Sequence, residues 1–423
     1  MNALAAEIIA IGNEVLNGEI VNSNAAFIAA RLSEEGWEVV RQTVVADAEA
    51  AIIAAFRSAE SCASVVFVCG GLGPTRDDIT SACAARFFGV ERHLDEDVLA
   101  GIRAFFERVR YPMSENNRNQ AMFPAGAIVI PNPIGTAPGF RMARGEKHFF
   151  FMPGVPREMK QMLEKEILPF LDTRLPAGTH HETVLMRVFG IGESRLDERL
   201  AHVTAGVEGV TLGFRADFPE NLIRIVAQGR DRAEAEARLK RVREAVESEL
   251  GELIVTEGTR RIEEVVGELL KARHLTIATA ESCSGGLLAH RLTNVPGSSE
   301  YFERGVVTYS NHAKSSLLGV PDDLIASSGA VSEPVAARMA EGIRRVAEVD
   351  FGVGITGIAG PTGGTDEKPV GLVYIALADD SGTTVQRLNF PGERERVKNW
   401  CAAIALNMLR MRVLGLEWTG RFR

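Results

Sequence analysis

Cysteine is scarce in this chain. There are five (Cys62, Cys69, Cys83, Cys283 and Cys401), an odd number with no Cys-X-X-Cys pair. That argues against a disulfide frame or a structural zinc site and points to a reducing compartment, so a cytoplasmic location is expected. Long apolar runs are missing as well. None reaches the ~18 residues that would span a bilayer. The opening residues Met1 to Glu7 lack the basic start of a signal peptide, and no membrane association is expected. Positive charge is in deficit, with 47 Lys+Arg against 56 Asp+Glu and a net charge of −9. A general nucleic-acid binder would usually be basic, so nucleic acid is not an expected partner. What is present is an ordinary globular balance, 46% hydrophobic and 24% charged over 423 residues, enough for two to four domains.

Taken in order, residues 5–11 read as a buried strand, and Asn22-Ser23-Asn24 can cap a helix bearing Ile28 and Leu32. Residues 37–45 read as a strand, 48–60 as a helix and 64–69 as the clearest buried strand. This β-α-β-α-β order predicts a parallel, doubly wound sheet. The last strand runs into Gly70-Gly71-Leu72-Gly73-Pro74-Thr75-Arg76-Asp77-Asp78. Glycines at the carboxyl end of a central strand lie where α/β sheets take ligands, and their amides can cradle phosphate. Asp77 and Asp78 could hold a divalent cation, or could simply complement a helix dipole. No Lys-Ser/Thr follows, so this is not an ATPase-type P-loop.

Residues 95–122 read as helical with a break near Tyr111-Pro112, 127–130 and 148–152 as strands, and 153–172 as a Pro-rich turn opening a helix. Asp172 to Gly178 is a plausible linker. Beyond it, 183–189 and 222–227 read as strands and 231–250 as a charged helix. Segment 172–256 holds 12 Lys+Arg against 15 Asp+Glu, a balance that gives no support to RNA binding and leaves a spacer or dimerisation role.

The third part is organised around Ala280-Glu281-Ser282-Cys283-Ser284-Gly285-Gly286. An apolar run, Leu275 to Thr279, precedes it, and Leu287, Leu288 and Leu292 follow at helical spacing, so it reads as a strand-to-helix turn. Such a turn can aim free N–H groups at one spot, which suits a nucleophile beside an oxyanion hole. The plain alternative is a serine N-cap. Further on stand Tyr309-Ser310-Asn311 with Lys314, Ala330 to Pro334 opening a helix, a strand at 351–355, the loop Thr356 to Gly364, strands at 370–378 and 383–390, and a last helix bearing Val397, Trp400, Ile404 and Met408.

Two resemblances rest on these motifs. Gly12-Asn13-Glu14, the Gly70–Asp78 stretch, Asn132-Pro133 with Gly135 to Gly139, and Pro153 to Glu158 resemble the CinA (competence/damage-inducible protein A) family over about residues 5–170. Ala280 to Cys283, Tyr309 to Asn311, Lys314, Gly329 to Glu333 and Thr356 to Pro361 are similar to nicotinamide mononucleotide (NMN) deamidases, the C-terminal domain of that family, over roughly 259–415. Ser284 stands where the family usually has threonine.

The resemblance implies an α/β protein of three parts. These are a doubly wound molybdopterin-binding-like domain with metal-dependent ADP-ribose pyrophosphatase activity (1–171), a small KH-like α/β domain (172–256) and an NMN deamidase domain (257–423). Ser282 is then the expected nucleophile, Lys314 its base, and Tyr309 a proton relay or an orienter of Lys314. Amides near Gly285 and Gly286 are the expected oxyanion hole. Cys283 is the rival nucleophile; His290 and His312 are read as surface or core. If Lys314 is a base, burial or a cation such as Arg304 must lower its pKa.

Substrate contacts are expected from Glu281, Ser284, Gly285, Gly286, Thr356, Gly357, Gly360 and Arg394, and in the first domain from Gly70, Gly71 and Gly73. A divalent metal is expected at Asp77 and Asp78, and no cofactor in the C-terminal domain. The partners would be NMN and ADP-ribose, the assembly a homodimer. The rival class is a competence or DNA-damage adaptor with vestigial sites, which would need a basic face.

Overall fold

A computed structural model describes residues 4–174, 180–390 and 392–416. Residues 175–178 of the expected linker lie outside the described residues. The chain forms two compact units, Met1–Thr183 with Val226–Arg238, and Val184–Ile225 with Leu239–Arg423.

The strands of the first part are β1 (Ala5–Ile11), β2 (Glu38–Val45), β3 (Val65–Cys69), β4 (Arg92–Leu94), β5 (Met122–Pro124), β6 (Ile128–Ile130), β7 (Gly139–Arg144) and β8 (Lys147–Met152). Six of them make one sheet in the order β2-β1-β3-β8-β7-β6, and β4 pairs with β5. The β2, β1, β3 and β8 neighbours are parallel, while β7 and β6 add antiparallel edges. Alternation along β1 explains the double winding. Ala6 and Ile8 enter one core with the helices Ser23–Glu34 and Pro156–Met162; Ile9 and Ile11 enter another with Glu49–Cys62 and Thr80–Phe88. Asn22 caps the first of these helices by accepting from the Ala25 N–H at 3.0 Å. The expected helix over 95–122 is shorter: it spans Glu96–Val109, and Arg110 turns left-handed (φ 55°) before a 3-10 turn, Glu115–Ala121, leads into β5. Strand β7 was not foreseen, because Pro138 and Gly139 mask its start.

The middle segment has β9 (His180–Val188), β10 (Val210–Asp217), β11 (Glu220–Gly229) and β12 (Ile254–Glu257), in the sheet order β10-β11-β9-β12. Its core sets Val188, Ile223 and Ile225 against Leu196, Leu200, Val242 and Val246 of the helices Glu193–Leu200 and Arg232–Leu250.

The last part has β13 (Ile277–Glu281), β14 (Phe302–Val307), β15 (Phe351–Gly357), β16 (Leu372–Asp379) and β17 (Gly382–Asn389), in the order β14-β13-β15-β16-β17. β13 is parallel to β14 and β15, and the other pairs are antiparallel. The helices Ile262–Ala272, Leu287–Thr293 and Arg394–Leu414 bury one face of this sheet; Asn311–Leu318, Asp322–Ser328 and Glu333–Ala347 bury the other. The Arg410 guanidinium is buried in the second unit and donates to the carbonyls of Glu252 (2.7 Å) and Ile254 (3.2 Å) and to the Asn407 side chain (2.9 Å). Burial pulls its pKa down to about 10. Among the described residues no helix is long and apolar enough to cross a membrane.

Candidate active site

Strand β13 runs to Glu281, two residues beyond the apolar run that signals it, so Ser282 sits at the strand's end. Ser282 donates its N–H to the Ile355 carbonyl of β15 (2.9 Å), which ties the turn to the central strand. The neighbouring strand β14 ends at Val307, and the Thr308 N–H donates to the Glu281 carbonyl (2.8 Å). Ser310 then caps the helix Asn311–Leu318 by accepting from the Ala313 N–H (3.0 Å). Lys314 stands one turn into that helix and is buried, 1% exposed. Its Nζ lies 3.2 Å from Ser282 Oγ, 2.8 Å from the Thr308 carbonyl and 3.4 Å from the Tyr309 carbonyl. A neutral lysine has two N–H bonds and one lone pair. The two carbonyls can take the two N–H bonds, which turns the lone pair toward the serine hydroxyl. Burial lowers the Lys314 pKa from its ordinary value. Arg304 has no part in this; it is exposed and pairs with Glu303.

Several expected roles change on this geometry. Glu281 is buried, and its carboxylate accepts from the N–H groups of Gly286 (3.1 Å), Leu288 (3.1 Å) and Ala289 (2.9 Å). It therefore holds the turn and the start of the helix, and has no oxygen left idle for a ligand. The Gly285 N–H donates to the Ser282 carbonyl (3.2 Å). Both glycine amides are engaged, so neither is free to serve as the expected oxyanion donor. The amides of Cys283 and Ser284 have no hydrogen-bond partner among the described residues, and they directly follow Ser282. The Ser284 hydroxyl is buried and likewise unpartnered there. Cys283 belongs to the hydrophobic core that also holds Leu288, Val397 and Cys401, and among the described residues the Lys314 amine bonds to Ser282 and two carbonyls rather than to its thiol.

Tyr309 is 62% exposed, and its phenol accepts from Arg394 (2.9 Å), so it does not contact Lys314 through its side chain. Its backbone carbonyl does that instead. Arg394 also donates to the Gly360 carbonyl (3.0 Å), joining Tyr309 to the Gly357–Gly360 loop. Thr356 donates to the Ala330 carbonyl (2.8 Å) and is buried; Gly357 pairs with Val373 of β16. These two residues shape the wall rather than meet a ligand. Lys398, missed from the sequence, lies on the same helix face as Arg394, and its Nζ is 3.5 Å from where a Gly285 side chain would begin. The i, i+4 spacing of two cations after Pro391-Gly392 was the available signal.

In the first unit a cavity of about 430 Å³ is lined by Gly70, Gly71, Gly73, Asp77 and Asp78, and also by Glu14, Asp47 and Glu158, which were not singled out as ligands. Gly70 donates its N–H to the Met152 carbonyl (3.0 Å) and backs onto the Ile11 carbonyl, so it shapes the loop. The amides of Gly71, Leu72 and Gly73 have no partner among the described residues and remain for an anion. At Gly73 a side chain would collide with the Asp78 carboxylate. Asn132 donates to Glu158 (2.6 Å), so two of the quoted motifs meet here, and burial raises the Glu158 pKa.

Asp77 (2.5 Å) and Asp78 (2.6 Å) both converge on the Thr75 hydroxyl, which has one proton to give. Two carboxylates gathered on one proton fit a divalent cation. Among the described residues no group of three or more His, Cys, Asp and Glu could hold a metal. A divalent cation held by these two carboxylates alone would have to complete its shell with water and phosphate oxygens.

The arrangement is that of a three-part α/β protein, with a Ser-Lys pair at a strand-to-helix turn in its last part and a glycine loop beside paired aspartates in its first. Residues 7–173 match the probable molybdopterin binding domain, 183–256 the damage-inducible protein CinA KH domain and 259–413 the CinA C-terminal domain. A CinA-like protein of Geotalea uraniireducens is 41% identical over 409 residues, covering 97% of each chain. A CinA-like protein of Geobacter sulfurreducens is 43% identical over 406 residues (96% and 98%), and a putative competence-damage inducible protein of Clostridium perfringens 42% over 409 (96% and 98%). Among solved structures, CinA of Thermoplasma acidophilum, of unknown function, is 40% identical over 39% of this chain and 96% of its own, with a TM-score of 0.37. The chain belongs to the CinA family.

Proposed function

We propose that the protein is a bifunctional nucleotide hydrolase, converting NMN to nicotinate mononucleotide and ammonia at Ser282 and cleaving ADP-ribose to AMP and ribose 5-phosphate at the glycine loop. The observation that carries the first activity is the buried Lys314 Nζ, 3.2 Å from Ser282 Oγ with its other bonds directed to two carbonyls. NMN as the amide substrate rests on the resemblance of the motifs.

Neutral Lys314 removes the Ser282 proton as Oγ attacks the carboxamide carbon. The oxyanion that forms is received by the Cys283 and Ser284 amides. Collapse breaks the C–N bond, and Lys314 returns the proton to the departing nitrogen, giving ammonia and a nicotinoyl ester on Ser282. Water then attacks the ester, Lys314 takes its proton, and the carboxylate leaves as Ser282 is re-protonated. Lys398 and Arg394 supply positive charge for the ribose phosphate.

In the first domain Asp77 and Asp78 would hold the cation, which when bound polarises the pyrophosphate and activates water. The amides of Gly71, Leu72 and Gly73 orient the phosphates, and Glu158, whose pKa burial raises, is the group in this cavity suited to give a proton to the leaving phosphate oxygen.

The test is ammonia release from NMN. Ser282→Ala should lower turnover by roughly 10⁴-fold or more, while Cys283→Ala keeps most of it. Near-normal release from Ser282→Ala, or loss only in Cys283→Ala, would overturn the assignment.

A further inference from the structure

A second cavity of the first unit shares the glycine loop with the one described above. Gly71, Leu72, Gly73, Asp78 and Gln120 line both. The two differ in size and in charge. The first, about 430 Å³, carries Glu14, Asp47, Asp77 and Glu158, and at its rim the exposed apolar side chains of Ile20, Val21 and Val155. The second, about 290 Å³, is lined by Arg76 and Arg92. Both arginines are exposed, and neither makes a hydrogen bond or ion pair among the described residues. Among those residues the one carboxylate in its wall, Asp78, already accepts from the Thr75 N–H (2.8 Å) and hydroxyl (2.6 Å).

The two cations come to this cavity from separate elements. Arg76 follows the glycines in the loop, and Arg92 opens β4, which is held by antiparallel pairing with β5, Arg92 opposite Pro124. Gln120 joins the two cavities and is buried. Its Oε1 accepts from Asn117 (2.9 Å) and its Nε2 donates to Thr136 (3.3 Å), which leaves one amide hydrogen unused.

We propose that the second cavity takes a phosphorylated sugar, so that the substrate of the first unit is a nucleoside diphosphate sugar bearing a further phosphate on its sugar. This rests on the pyrophosphatase reading above and narrows its substrate class. The unpartnered amides of Gly71, Leu72 and Gly73 stand in both walls and hold the diphosphate between the cavities. Size then orients the ligand. The larger cavity, with its apolar rim, has room for the nucleoside. The smaller lies at the ~300 Å³ lower limit of ordinary ligand clefts and suits a single sugar with its phosphate. ADP-ribose itself ends in an uncharged ribose, which offers no counter-charge to Arg76 and Arg92. A phosphate monoester brings about −1.5 to −2 charge at pH 7 and three acceptor oxygens. Guanidinium forks match such a group through paired N–H bonds.

The probes are ADP-ribose and its analogue phosphorylated on the anomeric oxygen of the terminal ribose. Each is titrated calorimetrically into the full-length protein in chelator, which withholds the cation. The phosphorylated analogue should bind about tenfold more tightly. Arg92→Gln should remove that preference and leave ADP-ribose binding unchanged. Arg76→Gln should act in the same direction, and Arg92→Lys should keep part of the preference because the charge remains. Cleavage is followed separately with magnesium. Failure to cleave either compound would end the pyrophosphatase reading, whereas the arginine-dependent preference in binding decides the sugar-phosphate site. Equal affinity of the wild type for the two compounds, or a preference untouched by both Arg92→Gln and Arg76→Gln, overturns the proposal. Inorganic phosphate bound through Arg92, with no preference between the two compounds, would place a free anion in the cavity and likewise overturn it.

Discussion

Glu281 offers the sharpest test of the turn, because the family resemblance implies a ligand residue and the structure makes it an internal cap. Its Oε2 accepts from Gly286 and Leu288 and its Oε1 from Ala289, all within 3.1 Å. Glu281→Gln keeps the shape, but its amide nitrogen must face at least one N–H donor. Three charge-assisted bonds become at most two neutral ones, and one buried N–H loses its acceptor. With charged bonds at ~1.5–3 kcal/mol, neutral ones at ~0.5–1.5 and an orphaned buried donor at ~1–3, and part of the loss returned by not burying a charge, the net cost is about 3 kcal/mol. For a unit of this size that is a fall of roughly 6–12 °C in melting temperature. Deamidation should fall in kcat with little change in KM, because the loosened turn misplaces Ser282 and the Cys283 and Ser284 amides without removing a substrate contact. Scanning calorimetry beside steady-state kinetics reads both. If Glu281→Gln melts with the wild type and raises only KM, the carboxylate meets substrate and the capping argument is wrong.

Other outcomes follow from the same geometry. Lys314→Met should abolish deamidation yet raise stability at pH 7. Burial lowers the folded-state pKa of Lys314, so the unfolded chain binds more protons between that value and ~10.5, and wild-type stability rises with pH across that window. The advantage of Met should therefore shrink as pH nears 10.5, and an advantage constant with pH would contradict it. Deamidation by the wild type should climb with pH through the lowered Lys314 value, with no acid-side dependence on His290 or His312. Lys398→Ala should raise KM for NMN by roughly tenfold with kcat nearly kept; an unchanged KM would remove Lys398 from the phosphate site. Chelation, or Asp78→Asn, should stop ADP-ribose cleavage and spare ammonia release, and equal loss of both activities would refute two separate chemistries.

Local pattern carried much of the fold into the sequence. β1 and β3 are apolar on both faces because helices cover both, and such runs are readable as buried strands. β10 was not, since its Gly213 and alternating half-exposed residues give a weak signal. The helix Glu193–Leu200 was not either, having only Leu196 and Leu200 to bury. At the Ser282 turn the residue types were legible and their duties less so. Glycines suggested free amides, but whether an amide is free depends on acceptors brought by the fold. Here the strand's own last residue, Glu281, captured one of them. The pairing of Lys314 with Ser282 depends on β14 lying beside β13, which no spacing within either segment reveals. Tyr309 contributes a carbonyl, a contact that side-chain chemistry cannot announce.

Arg410 bears on where this chain can be cut. The CinA C-terminal match begins at residue 259, yet the carbonyls that receive the Arg410 guanidinium belong to Glu252 and Ile254. A fragment started at the family boundary would keep a cation deep in its last helix and discard two of the groups that make that burial tolerable. A start upstream of the 3-10 turn Gly251–Leu253 retains them. The inherited module and the cooperatively folding body therefore have different edges, and expression trials that trim to the first should give a protein that Arg410→Met rescues.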